Sequence, residues 1–186
     1  MPPRTRSTEL TTISFVAELS TIEGTTLVRL PDEASEQLPS RGQVAVRASI
    51  GGHHFETVVE PDGRRGHWIR VDHGLQEVAG VRPGDSAEVT LQVASEWPEP
   101  EVPDDLATAL GEAASEIRDA WEDITPMARW EWVRWVQATS NPQTRHRRVE
   151  VSLSKLASGK RRPCCFDLAS CTDPSLAKSG KLRDVS

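Results

Sequence analysis

The segment Trp97-Pro98-Glu99-Pro100-Glu101-Val102-Pro103 does most to limit what this chain can become. Its three prolines in seven residues remove backbone donors and fix φ, so neither a sheet ladder nor a helix runs through it. It is also too short and too stiff to act as a loose tether. The hydrophobic period changes across it, from two residues before to helical spacing after. The chain therefore reads as an α+β protein of two halves in contact.

Before the prolines, Ile13, Phe15, Ala17 and Leu19 alternate with polar residues, as in a half-buried strand. Glu23-Gly24 turns into a second strand over residues 26–30. Pro31 opens a short helix from Asp32 to Leu38, with acids in its first turn. Val44, Val46, Ala48 and Ile50 mark a third strand, and Gly51-Gly52 returns it as His53 to Val59. Trp68 to Val71 is a fifth strand, Leu75 to Ala79 a turn or two of helix, and Val89, Leu91 and Val93 a last strand. About six short strands at this spacing predict a small barrel that closes its own edges over residues 11–95.

After the linker, residues 96–103, a helical region of three to four helices is expected over 104–160. Leu106, Ala109, Leu110, Ala113 and Ala114 share a face, and the helix is read as continuing past a kink at Gly111 through Ile117, Trp121 and Ile124. Thr125-Pro126 caps the next helix. On it Trp132, Trp135, Val136 and Thr139 fall on one face, Trp130 and Arg134 on another. Ser140-Asn141-Pro142 breaks the chain, and the last helix runs from about Gln143 to Leu156, with Gly159 as its stop. Residues 161–186 are rich in Pro, Ser, Gly and Lys and read as an irregular tail.

These residues carry a resemblance. Thr125-Pro126-Met127-Ala128-Arg129, Trp132, Trp135-Val136, Thr144-Arg145-His146-Arg147-Arg148, Leu153, Leu156 and Gly159-Lys160 follow the pattern of the YdeI/OmpD-associated, or bacteriocin-protection, family. Phe15-Val16-Ala17, Leu30-Pro31, Arg41-Gly42, Val46-Arg47-Ala48, Ile50-Gly51-Gly52-His53 and Gly84-Asp85 resemble the small all-β domain of unknown function that precedes it. That domain is similar to an AbrB-like split barrel. The resemblance implies architecture and a link to stress or bacteriocin tolerance, and no agreed reaction.

Charge is uneven. From Arg145 onward there are ten basic and four acidic residues, against twelve and twenty-four before it, for a net charge of −6. An acidic body repels nucleic acid as a whole, so a nucleic-acid-binding barrel is the weaker alternative. Four of the six tryptophans lie between Trp121 and Gly159, beside the basic cluster. Arg145 and Arg148, at i, i+3, either pair with the acids Glu112, Glu116, Asp119, Glu122 and Asp123 or present an anion site. The pairing is favoured. Trp132 and Trp135 read as core and Trp130 as the exposed member.

Trp130, Arg145, Arg148, Arg64 and His53 are therefore the candidate binding residues, for an anionic small molecule or a protein partner. Adjacent strand positions face opposite ways, so His53 and His54 do not readily share a metal. Cys164, Cys165 and Cys171 are candidates for a redox or soft-metal role, which would make the chain a thiol-dependent enzyme. They lack a fourth ligand at zinc spacing, and reduced inert thiols are favoured. No catalytic set, metal centre or cofactor is read from the sequence, and a non-enzymatic binding protein is the leading expectation. Residues 1–10 lack the apolar stretch of a secretory signal, and no run of about 18 apolar residues exists. The cytoplasm is expected. The oligomeric state is not legible.

Overall fold

A computed structural model of the protein describes residues 11–163 and 167–185. Six strands form a closed barrel: β1 (Ile13–Ile22), β2 (Thr25–Arg29), β3 (Val44–Ile50), β4 (His53–Pro61), β5 (His67–Arg70) and β6 (Ser86–Val93). Around the barrel the order is β1-β2-β5-β4-β3-β6, and β6 pairs back onto β1. β1 is long because it serves two neighbours. Ile13 to Glu18 pair with β6, and Leu19 to Ile22 pair with β2. The inward residues anticipated from alternation, including Ile13, Leu19, Val46, Ile50, Val59, Val89 and Leu91, form the barrel core together with Ile69. Helix α1 (Asp32–Glu36) brings Ala34 to that core, and the following Leu38 joins it. Helix α2 (His73–Ala79) is capped by Asp72, whose Oδ1 accepts from Leu75 N at 2.8 Å.

The second half contains α3 (Asp104–Glu112), α4 (Ser115–Asp123), α5 (Pro126–Gln137) and α6 (Pro142–Ala157). The expected single helix through Gly111 is broken, two residues later than the expected kink. Ala113 and Ala114 are both extended, with ψ of 162° and 151°. In a straight helix Trp121 would lie about 22 Å along the axis from Leu106. The break folds α4 back, so Leu106, Leu110, Trp121 and Ile124 join one core with Trp132, Val136, Val149 and Leu156. The Thr125-Pro126 cap of α5 forms as read, and Asn141 caps α6. Thr125 Oγ1 accepts from Ala128 N, and Asn141 Oδ1 accepts from Gln143 N and Thr144 N.

The tail departs from expectation. Arg161 and Arg162 run back across the helices: Trp132 Nε1 donates to Arg161 O, Arg161 pairs with Asp123, and Arg162 pairs with Glu131. Residues 167–185 then pack on the barrel. Strands β7 (Ala177–Lys178) and β8 (Lys181–Leu182) form a hairpin around Ser179 and Gly180, both with positive φ as a type I′ turn needs. Cys171, Leu176 and Leu182 make a third core with Ile22, Leu27 and Trp68 of the barrel. Few apolar residues suffice because they meet side chains that the barrel turns outward. The tail also crosses the β4–β5 loop closely. A Cβ at Gly63 would lie 1.9 Å from Gly180 O, and Leu182 N donates to Asp62 O at 2.8 Å.

The hydrogen bonds that join the halves run through the linker and the tail. Arg129 holds Glu99 at 2.6 and 2.7 Å, and Trp130 Nε1 donates to Pro98 O at 2.6 Å. Among the described residues no helix is long and apolar enough to cross a membrane.

Leu176 is fully buried in the tail–barrel core. Replacing it with alanine is expected to cost about 2–4 kcal/mol in urea-induced unfolding. A cost below about 0.5 kcal/mol, typical of a surface position, would mean that the tail does not pack as described.

Candidate functional site

A cleft of about 640 Å³ opens between the barrel, helix α5 and the tail. Most of its lining comes from three places, with Glu101 of the linker and Arg145 of α6 also lining it. Helix α5 contributes Trp130, Arg134 and Gln137, which recur at i, i+4, i+7 and so share a face. This is the face that helical spacing had separated from the Trp132 face. The barrel contributes Gln43, Glu60, Trp68 and Arg70, and the tail contributes residues 171–175.

Arg134 is the buried hinge of the arrangement. Its guanidinium donates to Leu168 O at 3.1 Å, to Thr172 Oγ1 at 3.1 Å and to Ser170 O. A single side chain of α5 thus fixes three residues of the tail. Burial lowers its pKa, opposed most strongly by the charge of Glu60. Arginine stays protonated under such a shift, because its ordinary value is so high.

Glu60 sits near the end of β4, half-buried, opposite Trp68 in the β4–β5 register. Gln43 Nε2 donates to both its carboxylate oxygens at 3.0 Å. Burial pushes its pKa up, against the lowering effect of Arg134, Gln43 and Arg70. Arg70 is held by Asp173 of the tail at 2.8 Å, and its guanidinium lies 5.5 Å from the centre of the Trp68 ring.

The structure brings together some of the residues singled out from sequence and separates others. Trp130 and Arg145 both line the cleft. Trp130 is half-buried rather than exposed, since its indole is fastened to the linker. Arg145 does pair within the chain, but its partner is Asp105, at 2.6 and 3.0 Å, and not an acid of residues 112–123. The start of α6 lies beside the start of α3, and Asp105 is the acid within reach.

Arg148 points elsewhere. It donates to Trp135 O at 2.7 Å and lies 5.3 Å from the centre of that ring, which also carries Lys155 at 5.9 Å. A carbonyl near the C-terminus of α5 needs such a donor. Trp135 is accordingly half-buried, with its edge against Trp132.

Arg64 is exposed in the β4–β5 loop and faces Asp184 at 3.7 Å. His53 begins β4, seven residues from Glu60, or about 23 Å along the strand. Cys171 lines the cleft but is buried, and burial pushes its thiol up to about 11. Such a thiol stays protonated at neutral pH. Cys164 and Cys165 lie outside the described residues.

Gln43, Glu60, Arg70 and the tail wall were not singled out from sequence. One signal was present for Glu60. Val58 and Val59 are consecutive apolar residues on opposite faces of β4, and both are buried. A strand apolar on both faces has its outer side covered, and Glu60 lies on that outer side.

Each arginine of the cleft is engaged by an acceptor of its own chain: Arg70 by Asp173, Arg134 by the tail, Arg145 by Asp105.

Residues 15–91 match the family described as a domain of unknown function (DUF1905). Residues 99–159 match the family described as bacteriocin-protection, YdeI or OmpD-associated. No curated protein matches the chain.

The raised pKa of Glu60 has a consequence for stability. A carboxyl whose pKa is raised on folding destabilises the folded state as pH climbs from the ordinary value of 4.5 through the folded value. The penalty is complete above the folded value and absent well below 4.5. Glu60→Gln is therefore expected to match the wild type in denaturant unfolding at acidic pH, below the ordinary carboxyl value, and to exceed it once pH has risen through the folded value. A stability difference independent of pH would contradict the placement of Glu60.

Proposed function

From a chain whose helical half belongs to the bacteriocin-protection, YdeI or OmpD-associated family and whose barrel belongs to the DUF1905 family, we propose a binding protein whose ligand occupies the three-walled cleft. The observation that carries this reading is the construction of the cleft. Its lining combines an aromatic ring, Trp130, with charged groups held at fixed positions by partners of the same chain. Small-molecule sites favour junctions between structural units and a few convergent polar groups on an apolar frame. A groove left between two poorly fitting halves would not have its walls tied together by Arg134, Arg129 and Trp130.

The reading is of binding rather than catalysis. The thiol of Cys171 is protonated at neutral pH, which argues against its use as a nucleophile. The family's description connects it with bacteriocin protection, and a role in stress or bacteriocin tolerance belongs to this proposal. So does residence in the cytoplasm.

Blocking the cleft tests the reading. Ser175 is exposed at its edge, so a large side chain there fits without disturbing a core. In a thermal-shift screen of small metabolites and short peptides, at least one compound is expected to raise the wild-type midpoint saturably. Ser175→Trp is expected to abolish that response while leaving the unliganded midpoint unchanged. Hits that bind the blocked variant equally well would place the site elsewhere.

A further inference from the structure

We propose that the cleft selects ligands bearing a cationic, multiply donating nitrogen group, a guanidinium or a primary ammonium, through the Glu60 carboxylate. This deepens the binding reading above and rests on it.

Glu60 has accepting capacity that the chain does not use. A carboxylate accepts about four hydrogen bonds. Among the described residues the hydrogen-bond partner of Glu60 is one N–H group, Gln43 Nε2, shared between both oxygens at 3.0 Å. Most of its accepting capacity is left for a group entering the cleft. The arginines are in the opposite condition. The Asp173 carboxylate takes Arg70, the Asp105 carboxylate takes Arg145 through two bonds, and Arg134 is spent on two carbonyls and a hydroxyl. An anion would have to displace an internal carboxylate to gain a guanidinium. A donor gains Glu60 without displacing anything but Gln43.

Local charge favours a cation as well. Glu60, Glu101 and Asp173 line the cleft along with Arg70, Arg134 and Arg145, and Asp105 offsets Arg145. The groups acting on Glu60 are Arg134 from α5, Arg70 from β5 and Asp173 from the tail, with Gln43 from the residue before β3. With Arg145 matched by Asp105, three carboxylates face two guanidiniums. A ligand of charge +1 balances that set, whereas an anion deepens the imbalance.

The shape of the lining suits a flat cation. Trp130 presents its ring to the cleft while its N–H is used on Pro98 O. What it can offer a ligand is therefore its face. A planar guanidinium stacks on an aromatic face and binds a carboxylate through two parallel bonds. Burial already disfavours the charged form of Glu60, and a bound cation offsets that cost. Binding should therefore weaken as pH falls and Glu60 takes up a proton.

The test uses ethylguanidinium and propylammonium chloride as probes and inorganic phosphate as the anion. Nitrogen-15 NMR reads the Trp130 indole N–H and the Gln43 side-chain amide, with Trp121 and Trp135, which do not line the cleft, as internal controls. Both cations are expected to move the Trp130 and Gln43 signals saturably, and less at acidic pH. Glu60→Gln is expected to weaken the response about tenfold or more, as loss of a charged hydrogen-bond partner does. Glu60→Asp, which keeps the charge, should retain part of it and so separates a lost carboxylate from a disturbed fold. Phosphate shifting these signals while the cations do not, or cation binding indifferent to Glu60→Gln, overturns the proposal and leaves the cleft a binding site for other ligands. If neither probe class moves the signals, the cleft reading falls with it.

Discussion

The guanidinium of Arg134 is the point on which the two halves and the tail depend together. It projects from α5 and ends among the carbonyls of Leu168 and Ser170 and the hydroxyl of Thr172. Those residues lead directly into Cys171, Leu176 and Leu182, which share a core with Trp68 and Leu27 of the barrel. One buried cation thus transmits the position of the helices to the barrel through an otherwise irregular segment. A charge is tolerable there because several oriented acceptors replace its hydration. Arginine suits the role better than lysine, since its fixed fork reaches separate acceptors at once.

The cleft follows from this linkage. Barrel and helices are tied by the linker on one side and the tail on the other, and the space between them stays open. Its polar lining has an internal economy. Arg70 and Asp173 join the barrel to the tail, Arg145 and Asp105 join α6 to α3, and each bond that fixes a wall also removes a charge from play. Glu60 differs in that its hydrogen-bond partner among the described residues is a neutral amide, while Arg134 and Arg70 act on it through charge.

Much of the fold was legible because it rests on local periodicity. Alternation gave the strands, and Thr125-Pro126 and Asn141-Pro142 gave the starts of α5 and α6. What was not legible depends on contacts distant in sequence. Nothing in Ala113-Ala114 signals a break, since alanine favours helix, and the break serves the packing of Trp121 against residues far along the chain. The tail looked irregular because its apolar residues are few, and their worth depends on outward-facing barrel residues. Helical spacing put Trp130 and Arg134 on a common face, but not what that face meets. Of the two arginines read as pairing with the acidic group 112–123, Arg145 meets Asp105 instead and Arg148 meets the Trp135 carbonyl, while Asp123 of that group holds Arg161.

The central claim is that the tail is a fixed wall, held by Arg134, and not a trailing end. Native-state hydrogen exchange of the Cys171 and Leu182 amides tests it most directly. Both donate to backbone carbonyls, Cys171 to Gly180 and Leu182 to Asp62. In the wild type these amides should be strongly protected. In Arg134→Met the Cys171 amide should lose protection while barrel amides such as Val28 keep theirs. Free exchange at Cys171 and Leu182 in the wild type, or unchanged protection in the variant, would contradict the account.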